Sequence, residues 1–273
     1  MSGSARVQAP SARRLLEVSA NEQLGAYRLL HLADPQGPAP AAGQFAMLAA
    51  ERWGGGEDGR PYLARALSYA GWQDGSALFL LEDVGPGTRV LCELEPGQRV
   101  WTLAPLGHGF SAPTQARRAI LVGGGVGIAP LAMLRGALLA AGIAPTVLLG
   151  FRDRERARSA QLLPGALLAS DDGSVGHHGL VTEMLARELA RDARATLYAC
   201  GPVAMLESVR ASAAAAGTPA QLALEAPMAC GFGACFGCVV PLREGGYVRV
   251  CLEGPVLDAE RLAAVEEHAG APA

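Results

Sequence analysis

Near the C-terminus of this 273-residue chain four thiols fall at a fixed spacing, Cys230-x4-Cys235-x2-Cys238-x12-Cys251, and that spacing limits what the segment can fold around. Thiolates are soft ligands that suit zinc and iron–sulfur clusters. Three of them on one short loop, with a fourth arriving later, is the plant-type arrangement for a [2Fe–2S] centre. Structural zinc sites usually pair two short knuckles instead. Gly231, Gly233 and Gly237, with Ala229 and Ala234, let the backbone wrap closely enough for successive N–H groups to face sulfur. Buried thiols acting as small apolar residues, or a zinc site, are the alternatives; spacing and glycines favour the cluster. The other two cysteines, Cys92 in a presumed core strand and Cys200, are scattered. That distribution argues against a secreted disulfide framework and for a reducing compartment.

Composition closes off several functions. The formal net charge is −3 with 18% charged residues, so no basic excess points to nucleic acid. All 23 basic residues are arginine, which excludes a P-loop lysine, a Schiff-base lysine and a lysine general base. The uncharged runs 119–134 and 136–151 are split by Arg135 and contain Gly and Pro. Each is shorter than the roughly 20 residues of a spanning helix, so both read as buried core and no membrane is expected. Met1 to Arg14 is rich in Ser, Ala, Arg and Pro with no apolar stretch, so no signal peptide is expected and the location expected is cytoplasmic.

From Arg13 to Trp101 apolar residues come in short runs separated by Gly, Pro and Asp: Leu15 to Val18, Tyr27 to Leu32, Gln44 to Leu48, Ala77 to Leu81 and Arg99 to Leu103. Such spacing predicts a small antiparallel barrel or sandwich, with loops at Pro38 to Pro40 and Gly54 to Gly56. After Pro113 strands and helices alternate, with strands at Ala119 to Val122, Thr146 to Leu149 and Thr196 to Ala199. Helices are predicted at Ala129 to Ala141, Met184 to Arg191 and Val203 to Ala216, which makes a parallel sheet. A short amphipathic helix is expected over Asp258 to His268. The division expected is a flexible tail at 1–12, a barrel at 13–112, an α/β domain at 113–222 and a cysteine-rich lobe at 223–273. The fold class is therefore α+β and multidomain.

Ala119 to Leu131 reads as strand, glycine loop and helix. Gly123, Gly124, Gly125 and Gly127 permit close backbone approach, and Pro130 suits a first helical turn. A helix start there offers free N–H groups to a pyrophosphate, although Pro130 occupies the third glycine of the usual fingerprint. Gly150-Phe151-Arg152-Asp153 follows the second strand and holds both an arginine and an acid, so it does not decide between NAD and NADP. The run Arg152, Arg154, Arg156 and Arg158 reads as a solvated face.

Taken in order, these motifs resemble the electron-transfer subunits of NAD-dependent (class 1B) dihydroorotate dehydrogenases, within the ferredoxin–NADP reductase-like flavoproteins. The resemblance runs from about Arg13 to the end. Arg65-Ala66-Leu67-Ser68 is similar to the family's flavin motif, which implies that Arg65 meets the FAD pyrophosphate and Ser68 lies near the isoalloxazine; Ala66 replaces the usual proline. Leu80-Leu81-Glu82 and Gly85-Pro86-Gly87-Thr88 resemble the segment that holds the FAD ribityl and phosphates. Ala104 to Phe110 and Ser170 to Gly176 match further family stretches. Tyr198-Ala199-Cys200-Gly201-Pro202 resembles a turn near the nicotinamide, so Cys200 is either a site residue or the small apolar residue that fits there. Glu225 to Cys238 and Val250 to Val256 resemble the family's cluster segment, implying Cys230, Cys235, Cys238 and Cys251 as ligands.

The resemblance implies FAD, a [2Fe–2S] cluster and NAD as cofactors. Nicotinamide exchanges two electrons at once and the cluster one, so the flavin converts between them. It also implies an FMN-containing catalytic subunit as partner, a heterotetramer, and a role in pyrimidine biosynthesis. No second flavin motif or orotate site is visible, so orotate chemistry is expected on the partner. An NAD(P)H–ferredoxin-type reductase or a diaphorase subunit shares this plan. A nucleotide- or zinc-binding interaction protein without redox turnover is the non-enzyme alternative.

Overall fold

A computed structural model describes residues 11–53, 61–113 and 118–263. Its first part is a closed barrel of β1 (Ala12–Leu24), β2 (Tyr27–Ala33), β3 (Phe45–Ala50), β4 (Arg65–Gln73), β5 (Ser76–Leu81) and β6 (Arg99–Leu106). The strands are antiparallel in the order β1-β2-β5-β4-β3-β6, which leaves no open edge. Alternation decides which way each strand faces: Leu16 and Val18 point inward while Glu17 and Ser19 face solvent. Val18, Leu30, Leu48, Phe79 and Val100 fill the interior.

The five apolar runs all lie in strands, whereas β4 lacks such a run because Ser68, Gly71 and Gln73 dilute it. Cys92 corrects an expectation. It ends a helix, α1 (Pro86–Cys92), which Pro86 starts in the position where its missing N–H costs nothing. Its thiol still packs in the barrel core, and burial pushes it up to about 11.

The second part runs β7 (Arg118–Gly124), α2 (Ile128–Ala140), β8 (Thr146–Phe151), α3 (Arg154–Ala157), β9 (Leu167–Ser170), β10 (His177–His178), α4 (Val181–Arg191), β11 (Ala195–Cys200), α5 (Val203–Ala216) and β12 (Ala220–Ala223). These six strands pair in parallel, with short β-α connections. A lobe follows with the hairpin β13 (Val239–Pro241) and β14 (Tyr247–Arg249), and β15 (Val256–Asp258) then returns antiparallel to β12. The sheet order is β10-β9-β8-β7-β11-β12-β15. The chain winds outward from β7 and resumes on its other side with β11, so a crevice opens between their C-terminal ends.

The helix expected over Asp258 to His268 is corrected in its described part. Asp258 ends β15, and Ala259–Arg261 forms one 3-10 turn. Residues 264–268 and the glycine loop at 54–56 lie outside the described residues. The boundary expected at 222 falls inside β12. Among the described residues no helix is long and apolar enough to cross a membrane.

Candidate functional site

The cysteine loop is built as its glycines suggest. Cys230 Sγ accepts the N–H of Ala234 at 3.3 Å, and Cys235 Sγ that of Gly237 at 3.5 Å. Cys238 Sγ accepts the N–H of Cys251 at 3.4 Å. Burial pulls the Cys230 thiol upward, but hydrogen bonds from the Phe232 and Cys235 amides, the Cys235 thiol and the Ala234 amide outweigh it and hold it at about 6. Burial and the neighbouring Cys238 instead push Cys251 up to about 12.

The thiols stand in two pairs, Cys230 with Cys235 and Cys238 with Cys251, and all four are free. Among the described residues no three Cys, His, Asp or Glu side chains converge on a single ion. Paired thiols with amides aimed at sulfur fit a two-iron centre, which takes two thiolates per iron, better than one tetrahedral zinc. Cys238 and Cys251 are buried whereas Cys235 is exposed, flanked by the exposed rings of Phe232 and Phe236.

This loop rests on the barrel. A side chain on Gly231 would meet Met47 Cγ at 2.4 Å and Sδ at 2.8 Å, so the bare backbone lies directly on β3. Met47 pairs with Ala66, and Phe45 with Ser68, across the β3–β4 ladder. The thiol loop and the Arg65–Ser68 segment are therefore separated by one strand, and neighbouring strands lie about 4.8 Å apart.

Arg65 makes no ion pair among the described residues. Its guanidinium donates to Leu63 O, lies 5.4 Å from the Trp53 ring centre and is lowered in pKa by burial. A side chain on Gly87 would meet it at 2.3 Å, so arginine and the start of α1 face one another. Thr88 turns its hydroxyl inward: Oγ1 donates to Gly85 O at 3.1 Å and accepts the N–H of Val84 at 2.9 Å. Leu80 and Leu81 are buried, so that pair serves the core.

A cleft of about 390 Å³ opens at the C-terminal ends of the parallel strands. Of the residues expected from sequence to bind cofactor it gathers Glu82, Gly124, Gly125, Gly201 and Pro202. Gly124 and Gly201 touch: a side chain on Gly124 would meet Pro202 and Met205 at 2.8 Å, and one on Gly201 would meet Gly124 N at 2.9 Å. A 3-10 turn at Gly125–Gly127 leads into α2, with Pro130 in its first turn. Gly123 and Gly127 are buried beneath that turn, and Cys200 is only 3% exposed. Burial and the Glu225 carboxylate push the Cys200 thiol well up, which fits a neutral packing residue.

Tyr27 was not singled out from sequence, Arg152 stood in the stretch that does not decide between NAD and NADP, and Asp171 and Glu225 stood in family-like stretches without an individual role; all four line the cleft. They come from β2 and from the ends of β8, β9 and β12. Tyr27 carries no local signature, whereas a position just past a parallel strand is a usable signal for the other three. Glu225 opens onto the cleft while protein crowds its other sides, and burial raises its pKa.

The arginine run divides. Arg156 bonds Glu82 at 3.1 Å and Asp153 at 2.6 Å, and Asp153 also caps α3. Arg158 pairs with Glu155 on the surface, Arg154 donates to Ser174 O, and Arg152 lines the cleft together with Arg156.

Residues 225–263 match the family model described as the iron–sulfur cluster binding domain of dihydroorotate dehydrogenase B. The dihydroorotate dehydrogenase B (NAD(+)) electron transfer subunit of Desulforamulus reducens is 35% identical over 74% of this chain and 80% of its own. That of Geobacillus thermodenitrificans is 39% identical over 73% and 79%. This chain belongs to the family of dihydroorotate dehydrogenase B electron transfer subunits. The family's name makes its members one subunit of an assembly with a catalytic partner. In three dimensions the chain is similar to an NADH-dependent reduced ferredoxin-NADP oxidoreductase (TM-score 0.78, 25% identity), over 96% of this chain and 91% of that one. Phthalate dioxygenase reductase shares the fold at TM-score 0.61 over 93% and 96%.

Proposed function

We propose that this chain is the electron-transfer subunit of an NAD-linked dihydroorotate dehydrogenase, with FAD on the barrel, [2Fe–2S] on the thiol loop and NAD in the cleft. The observation that carries this reading is the seat of Gly231 on Met47, the strand partner of Ala66. When bound, a flavin exchanges hydride with nicotinamide and single electrons with a [2Fe–2S] centre. The chain's own task is to hold these groups close and tune them.

Arg65 offers the FAD pyrophosphate a guanidinium without an ion pair among the described residues, and Gly87 leaves room for it. Ala66 and Leu67 present backbone, and Ser68 sets a hydroxyl beside the ring. Cys230, Cys235, Cys238 and Cys251 ligate iron, while the amides of Ala234, Gly237 and Cys251 stabilise charge on sulfur. Gly124 and Gly125 bring backbone to the dinucleotide, with Gly201 and Pro202 packed beside them continuing that wall. Dihydroorotate is oxidised on an FMN-containing catalytic subunit, in a heterotetramer in the cytoplasm. Exposed Phe232 and Phe236, flanking Cys235, form the face that meets it.

The test is Cys235→Ser in the assembled complex. NADH oxidation by an artificial dye is expected to persist in good part, while dihydroorotate-dependent NAD reduction is lost with the cluster absorbance. Equal loss of both activities would contradict this electron order. If the purified parent complex forms no orotate, the same scaffold serves an NADH-dependent reductase of the kind it resembles in fold.

A further inference from the structure

We propose that Tyr27, a residue of the barrel, is a binding residue for the pyrophosphate of the nicotinamide dinucleotide. The inference rests on the cleft being the NAD site. Tyr27 is 1% exposed, and its hydroxyl has no hydrogen-bond partner among the described residues. Buried phenols nearly always find one, so an orphan of this kind calls for an explanation.

Its position supplies one. Tyr27 lines the cleft, and its hydroxyl lies 3.7 Å from where a side chain on Gly125 would begin. Gly125 opens the turn that starts α2, where free N–H groups gather for an anion. The phenol thus sits beside the side-chain-free turn. A small movement of that turn brings a phosphate oxygen onto it.

The nearby charges leave the role open to a neutral donor. Glu82 and Asp153 are both engaged by Arg156, and Arg152 faces the cleft without an ion pair among the described residues. Burial first, and then the Glu82 carboxylate, raise the phenol's pKa, so it keeps its proton and can donate.

The hairpin that carries Tyr27 is fixed to the α/β part. Ala26 N–H donates to Glu155 O at 3.3 Å, and Gly25 packs so closely on Glu155 that no side chain fits. The barrel therefore completes a dinucleotide site otherwise built from parallel-strand ends.

Tyr27→Phe in the full flavin- and iron-loaded protein separates this role from packing. NAD+ and ADP-ribose are titrated anaerobically by calorimetry, with AMP as the probe lacking a pyrophosphate. A hydrogen bond to a charged acceptor predicts Kd values raised about tenfold for NAD+ and ADP-ribose, with AMP unchanged. Because the substitution removes an unsatisfied buried hydroxyl, the unliganded variant is expected to melt higher than its parent, with flavin and iron contents unchanged. NAD+ affinity within about twofold of the parent, well under that hydrogen-bond effect, would overturn the assignment. Flavin loss at unchanged NAD+ affinity would overturn it too, placing the phenol on FAD. A parent that binds neither NAD+ nor ADP-ribose would instead overturn the reading of the cleft.

Discussion

Glu225 shows how one carboxyl can be crowded by protein and still face a ligand cleft. Burial raises its pKa, so the folded chain binds this proton more tightly than the unfolded chain, whose carboxyl has the ordinary value of 4.5. The stability this proton contributes is full below that value and is lost as pH rises through the folded pKa. Glu225→Gln removes the titration. Its melting temperature is expected to gain on the parent as pH rises from about 5, by on the order of 2 °C, and then to level off. A difference that stays flat from pH 5 to 8 would mean the carboxyl is fully hydrated. At this scale the sequence was legible wherever chemistry requires several residues at fixed spacing, as in the thiol loop and the Gly124–Gly125 turn. It was silent on Tyr27, which acts alone and which only the fold brings to the cleft, and it placed Arg152 and Asp171 in recognised stretches without fixing their roles. Glu82 was legible as a segment but not as a contact, since its partner Arg156 lies 74 positions away.

Two glycines of one short stretch make opposite predictions at the scale of elements. Gly127 precedes α2 and lies on the β11–α5 connection, where a side chain would meet Gly201 N at 2.6 Å and Cys200 O at 2.7 Å. Those are backbone atoms and cannot swing aside. Gly136 lies within α2, exposed, with nothing within 4 Å of an added methyl. Gly136→Ala is expected to stabilise by about 0.5–1 kcal/mol through helix propensity and a less flexible unfolded chain. Gly127→Ala is expected to cost about 2 kcal/mol or more and to abolish NAD+ binding, because α2 must part from Gly201. Thermal melts of the pair test this, and similar shifts for both would refute it. The same logic explains which elements could be read. Val203–Ala216 is rich in alanine, a strong helix former, and the five barrel runs are short and apolar, so helix and strands fall where expected. β4 and α1 do not: one is diluted by polar and glycine residues, and the other is seven residues long. Tertiary packing decides such segments.

At the scale of the whole molecule, the three parts visible in sequence share their cores. One apolar cluster runs from Met47 and Leu106 of the barrel through Ile120 and Leu197 of the sheet to Val240 and Cys251 of the lobe. A second joins Tyr27 and Leu80 of the barrel to Leu121 and Ile128. The lobe also lends β15 to the sheet, so its edge strand and its thiols depend on one another. Parts that bury surface against each other this way do not unfold independently. The loaded protein is therefore expected to show one cooperative thermal transition, with flavin release, loss of cluster absorbance and loss of far-ultraviolet ellipticity at a common midpoint. Cys251→Ser should lower that midpoint for all remaining probes together, because Cys251 lies in the shared core, rather than melting the lobe alone. A flavin-bound barrel that survives after the sheet has melted would show that the shared clusters are contacts between separate folding units. The electron-carrying groups would then have to be aligned by the partner subunit instead of by this chain.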